Sequence, residues 1–149
     1  MAQTYFGCTL RAGSGTLTDT VDGGFVVMMQ TATVTTLASG AASSVTEVLP
    51  AGSQIINIFI DTMVDEVVGG GTATAIPATV GIAAGGTQYV SSTDVFAGGR
   101  FVPTFTTAQL AAMADIGNNV NVVLTVDPNG TISTTQGVYR LTVVYAQKI

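Results

Sequence analysis

The stretch Leu49-Pro-Ala-Gly-Ser-Gln-Ile-Ile-Asn-Ile-Phe-Ile-Asp-Thr-Met-Val64 decides the fold. It opens with a turn: Pro50 presets its own φ, and Gly52 can take the positive φ that a Pro-x-Gly turn often needs. The densest β-branched run of the chain follows. On an unbroken strand, Ile56, Ile58, Ile60, Thr62 and Val64 share one face, and Ile55, Asn57, Phe59, Asp61 and Met63 share the other. The first face is apolar apart from Thr62, and the second is mixed. This pattern predicts a strand buried on one side and partly covered on the other.

Working outward, more strand patterns surround this one. Phe25 to Leu37 sets Val26, Met28, Ala32 and Val34 against Gln30 and the threonines, a half-buried strand. Ser39 to Ser44 is a small-residue loop, and Val45 to Val48 a short strand leading into the Leu49 turn. Gly69-Gly70-Gly71 predicts a hairpin tip, with Thr72 to Ala83 returning as a strand that Pro77 places at an edge or a bulge. Gly85-Gly86 turns into Tyr89-Val90, Ser91 to Gly99 reads as loop, and Arg100 to Val102 as a short strand. Asn119 to Val126 puts Val120, Val122, Leu124 and Val126 on one face. Asp127-Pro-Asn-Gly130 has a turn signature, and Gly137 to Ala146 puts Tyr139, Leu141, Val143 and Tyr145 on one face. One segment reads as helix: Thr106 to Asp115, with Thr106 or Thr107 as N-cap, Leu110 and Met113 three apart, and Gly117 as a stop.

These elements predict a single all-β domain, a β-sandwich with one short helix, over residues 25–149. Residues 1–24 read as an N-terminal arm or loop-rich entry. Gln3 to Leu10 has the pattern of a short strand. Ala12 to Gly24 is rich in Gly, Ser, Thr and Asp, a composition that cannot bury enough surface to order itself but can gain order by lying on a partner.

Composition agrees. The chain has 149 residues, enough for one domain that buries roughly 70% of its unfolded surface without metals or disulfides. Charged residues are 9%, against about 25% in an average domain. Thr, Ser, Asn and Gln must therefore supply the polar surface. With four basic residues and a net charge of −5, the chain lacks the clustered Lys and Arg that hold nucleic acid or an anionic membrane. Its longest apolar run, Phe25 to Met29, is far short of a membrane span. The N-terminus lacks the basic region and apolar core of a signal peptide, which predicts manufacture and use without export through that route. The one cysteine, Cys8, forbids an intrachain disulfide.

The sequence offers no catalytic, cofactor-binding or metal-site residues, and we expect no enzyme, no cofactor and no small-molecule substrate. It has no His, so no Ser-His-Asp or Cys-His site can form. No nucleophile elbow or phosphate loop is present. Asp61, Asp65 and Glu66 gather near the end of the central strand, as a hard cation or a pair of catalytic carboxylates would need. A solvated strand end is the reading preferred here, because four residues of extended chain separate Asp61 from Asp65 by about 13 Å. Asp127-x-Asn129-Gly130 resembles the start of a calcium loop, but the Gly comes too early and no Glu follows, so it is read as a turn. Cys8, beside Tyr5 and Phe6 with no basic neighbour, is read as a buried inert thiol.

Several of these segments carry a family resemblance. They are Leu49 to Asp61 with the Gly-rich tip and Thr-Ala-Thr-rich strand after it, Ala97-Gly-Gly-Arg100, and Gly137-Val-Tyr-Arg-Leu-Thr-Val-Val-Tyr145. Together they resemble capsid decoration or cement proteins of tailed bacteriophages, over most of the chain from Gln30 on. The resemblance implies a jelly-roll-like sandwich that sits as a homotrimer on the outer surface of an icosahedral head. Its partner would be the major capsid protein, and it would be made in the bacterial host cytoplasm. It extends equally to a head-fibre base or tail protein. The competing reading is a carbohydrate- or receptor-binding β-module, which exposed Tyr or Phe grouped in a groove would favour. A flat apolar patch would favour the structural role.

Overall fold

The computed structural model describes residues 25–114, 116–132 and 134–148. The arm over 1–24, the short strand read in Gln3 to Leu10 and the thiol of Cys8 lie outside these residues. The described elements are β1 (Phe25–Thr35), β2 (Ser43–Leu49), β3 (Ser53–Val64), β4 (Pro77–Gly81), β5 (Val90–Asp94), β6 (Arg100–Phe101), α1 (Thr107–Ala112), β7 (Val120–Val126) and β8 (Val138–Lys148). They form two four-stranded antiparallel sheets, ordered β1-β8-β3-β6 and β2-β7-β4-β5. The two orders run in step: β1 and β2, β8 and β7, β3 and β4, β6 and β5 hold matching places. The expected all-β sandwich with one short helix is the observed architecture.

The core lies between the sheets. From the first sheet, β8 contributes Tyr139, Leu141, Val143 and Tyr145, all fully buried, and β3 contributes Ile55, Ile58 and Ile60. From the second, β7 contributes Val122, Leu124 and Val126, and β4 Ala78 and Val80. The alternation read in β7 and β8 is the observed one. Each buried aliphatic side chain stabilises the fold by about 1.5–3 kcal/mol relative to exposure.

β3 departs from the simple alternation. Ile55 is opposite Tyr145 and Asn57 opposite Val144, so Ile56 is an extra residue in the strand. This β-bulge shifts the phase. Ile55 is buried and Ile56 is 49% exposed, the reverse of the expected assignment, whereas Ile58 and Ile60 point inward as expected. The Asn57 side-chain oxygen accepts the Ile58 amide at 2.8 Å, which satisfies a backbone donor at the irregularity. A second shift occurs between Thr62 and Val64, and Val64 is exposed rather than on the buried face.

The glycine-rich stretch after β3 is not a hairpin tip. β3 pairs with β8 and β6, whereas β4 belongs to the other sheet, so residues 65–76 cross between sheets. Their backbone is clamped by the Asp127-Pro-Asn-Gly130 turn. The Asn129 side-chain oxygen accepts the amides of Thr74 and Ala75, and the Thr131 carbonyl accepts those of Thr72 and Ala73. A Cβ on Gly71 would sit 2.1 Å from the Thr131 oxygen, so only glycine allows this crossing. The strand read from Thr72 to Ala83 is therefore short, and β4 is an inner strand, not an edge. Pro77 is its first residue, where a missing amide is tolerated. The segment read as loop after Tyr89 contains β5.

At the Leu49 turn, Gly52 has φ of 73° as the Pro-x-Gly reading requires. α1 docks on this end. Thr106 caps it, with the Gln109 amide donating to the Thr106 hydroxyl and the Thr106 amide donating to the Gln109 side chain at 2.8 Å, a capping box. Met113 is buried as expected, but Gln109, not Leu110, is the helix's other inward residue. Among the described residues, no helix is long and apolar enough to cross a membrane.

The bulge generates a test. Ile58→Asp places an unpaired charge in the core and is expected to cost at least about 4 kcal/mol or prevent folding. Ile56→Asp, one turn of phase away at the bulge, is expected to cost under about 1 kcal/mol. Denaturant midpoints read both; equal losses would mean that the strand runs without a bulge.

Candidate interaction surface

The acidic residues singled out in the sequence do not form one site. Asp61 faces outward from β3, opposite Arg140 on β8 and Arg100 on β6. The Arg100 Nε donates to Asp61 Oδ1 at 2.6 Å and its Nη2 to Oδ2 at 3.1 Å. The Arg140 Nη2 and Nε donate to Oδ2 at 2.6 and 3.2 Å. The hydrogen bond from Arg100, then that from Arg140, outweigh burial and hold the Asp61 carboxyl down at about 2. Glu66 is buried elsewhere, accepting hydrogen bonds from the hydroxyls of Thr36 at 2.8 Å and Tyr139 at 3.4 Å. Burial, with Glu66 beside it, pushes the Tyr139 hydroxyl well above its usual range. Asp61 and Glu66 are thus structural groups, not the solvated strand end expected. Among the described residues, no group of three or more potential metal ligands occurs.

The residue that sequence reasoning missed is Glu47. It follows Val45 at a two-residue interval on β2, so it faces inward, and it is only 6% exposed. Neither carboxylate oxygen has a hydrogen-bond partner. Burial pushes its carboxyl up from 4.5 to about 7. The signal was in the alternation of Val45, Glu47 and Leu49, which places an acid on the apolar side.

The two outer faces of the sandwich differ. On the second sheet, Val123 and Thr125 are buried, and the loop after β4 folds back so that the Gly85 amide donates to the Thr125 hydroxyl at 2.8 Å. On the outer face of the first sheet Thr142 and Ala146 are likewise buried and Val144 is half-buried, but exposed apolar side chains stand beside them on β1 and at the β3 bulge. There the cross-strand register sets Val27 beside Ala146, Met29 beside Val144 and Asn57, and Thr31 beside Thr142 and Phe59. Val27 is 63% and Met29 65% exposed, and Ile56 stands out at the bulge. The Asp61–Arg100–Arg140 network borders this patch, and the Arg100 guanidinium lies 5.4 Å from the centre of the Phe59 ring, a cation–π distance. Aromatic, Met and Arg residues with few free Lys or Glu are the composition of an interface core. The surface can bury apolar area against a partner.

Comparison with known proteins agrees with the fold. The chain is similar to a chain from the capsid of Ralstonia phage GP4, with a TM-score of 0.59 and 19% identity, over 85% of this chain and 86% of that one. It is also similar to a chain from the capsid asymmetric unit of cyanophage Pam1, with a TM-score of 0.53 and 20% identity, over 99% of both chains. No family model matches the sequence, and no curated protein matches it.

Glu47 makes stability depend on pH. Its carboxyl is near 4.5 when the chain is unfolded and about 7 when folded. Between those values the folded state holds more protons, so stability falls as pH rises from about 4.5 to about 7, by up to about 3 kcal/mol. Glu47→Gln is expected to flatten this slope and to be the more stable protein at pH 8. Unfolding midpoints at pH 5 and pH 8 check it, and parallel pH profiles for the two proteins would refute it.

Proposed function

We propose that this chain is a structural, non-enzymatic protein of a phage virion: a decoration or cement protein that binds the outer surface of the head. The observation that carries this reading is the group of exposed apolar side chains on the outer side of the first sheet, Val27, Met29 and Ile56. It lies on a sandwich whose likeness to the two phage capsid chains runs through most or all of its length. The in-step strand orders are read as a jelly roll.

The partner is the major capsid protein, and the assembled form is a homotrimer over a symmetry axis of the shell. Three linked contacts raise the effective concentration of each, so weak individual patches give tight occupancy. A protein that binds only the assembled shell stabilises it by mass action. The acidity of the chain suits the outside of the head better than its DNA-filled interior. It would be made in the host cytoplasm and act on the completed shell.

Heads produced without this protein are expected to assemble but to rupture at lower temperature, and adding the purified protein back should restore the wild-type rupture temperature. The double variant Ile56→Glu, Val144→Thr should bind these heads at least tenfold more weakly, a loss of about 1.4 kcal/mol or more, with its own fold retained by circular dichroism. Wild-type protein that ignores heads and binds sugar arrays instead would overturn the reading.

A further inference from the structure

We propose that the edge of β1 that pairs with no other described strand is a strand-addition site, and that its occupant is the segment Gln3 to Leu10 of a neighbouring copy of this chain. The proposal rests on the trimeric part of the function above and not on attachment to a head.

The argument begins with how the sandwich treats its sheet ends. A strand at the end of a sheet presents unpaired amides and carbonyls to any extended chain, and proteins blunt such ends with shortness, bulges, proline or inward charge. Among the described residues four strands are terminal: β1, β6, β2 and β5. Three are blunted. β6 has two residues. β5 is short and its pairing with β4 is irregular between Ala78 and Val80. β2 carries the inward-facing Glu47, whose burial without a partner serves no contact within the sandwich. β1 has none of these devices. It is 11 residues long, its register with β8 runs without interruption from Phe25 to Thr35, and its sequence contains no Pro, Gly or charge. Its first half is exposed on both sides of the sheet, Val26 and Met28 at 44% and 43% on the inner side and Val27 and Met29 on the outer. An added strand would meet a ladder and apolar side chains on both faces.

The occupant follows from the chain that leads into this edge. Gln3 to Leu10 has a strand pattern, has no charge and carries Tyr5, Phe6 and Leu10 to bury. The stretch from Ala12 to Gly24 joins it to β1. It is far longer than the roughly two to five residues of a hairpin loop, and at about 3.3 Å per residue it can span on the order of 40 Å. That length and its Gly, Ser and Thr content suit delivery to a neighbour better than a tight return onto the same chain.

The test uses the purified full chain with no heads present. Sedimentation at micromolar concentration should give the mass of three chains, and Phe6→Asp with Leu10→Asp should reduce it to one while leaving the circular dichroism of the sandwich unchanged. The native Cys8 then locates the contact. With a second cysteine introduced one at a time at Val26, Val27, Met28 and Met29, mild oxidation should give covalent multimers for at least one position. Cys8→Ser should abolish them, and a cysteine at the exposed Val48 should not form them. A monomeric wild-type mass, a crosslink closed within one chain, or no crosslink from any of the four positions would overturn the proposal. Heads that fail to bind an intact, crosslinked trimer would refute the capsid role and leave the exchanged strand standing.

Discussion

The pairing of β3 with β8 is the constraint on which the rest of the structure depends. These are the two inner strands of the first sheet, and both must turn an apolar side toward the second sheet at the same time. β8 does so with an unbroken alternation from Tyr139 to Tyr145. β3 cannot, because its turn at Gly52 and its apolar run are out of phase by one residue. The bulge at Ile56 absorbs the difference. One extra residue brings Ile55 inward on one side of it and Ile58 and Ile60 inward on the other. The cost is an isoleucine left at the surface, which then contributes to the outer patch. Packing and surface are thus two outcomes of one register decision.

This explains which parts of the fold were legible. In β7 and β8 the large apolar residues alternate uniformly, so the core-facing side could be assigned from the sequence, although Val123, Thr125, Thr142 and Ala146 on the other side are buried as well. The helix was legible through Thr106 and the helix formers after it, because a capping box is a local signal. The face of Ile55 and Ile56 was not, since a bulge adds a residue without changing the local composition. The crossing at residues 65–76 was missed for another reason. Three glycines fit a hairpin tip and fit equally a chain passing within contact of the Thr131 carbonyl. Only the non-local partner decides between them. The same holds for Asp61. Its neutralisation by Arg100 and Arg140 joins residues far apart in sequence, so no spacing rule could have found it.

The candidate surface shows the same division. The missing His excludes a Ser-His-Asp or Cys-His site on composition alone. Where the apolar surface would lie was not legible in that way. The sequence has apolar residues to spare, and only the strand pairings tell on which sheet and which side the exposed ones stand. Glu47 falls between these cases. An acid at an inward position of an alternating strand is visible in sequence, but its meaning depends on β2 being the end of its sheet.

β1 and β2 occupy matching ends of the two sheets, and they are treated in opposite ways. A buried carboxylate without partners weakens the folded state near neutral pH, so its presence on β2 needs a compensating use. Blunting the edge is one, since a strand added there would leave the acid deeper still in a dry environment. Leaving β1 open carries the opposite hazard. An edge that accepts a strand from a copy, whose own edge accepts another, builds a ring if the rotation closes and a filament if it does not. Two open edges per molecule would permit branching and uncontrolled sheet growth. One open edge and one donated segment limit each copy to two neighbours, which is the requirement of a closed ring. On this argument the unfavourable Glu47 and the unprotected β1 belong to the same design: the first removes a competing edge so that the second can be used for assembly.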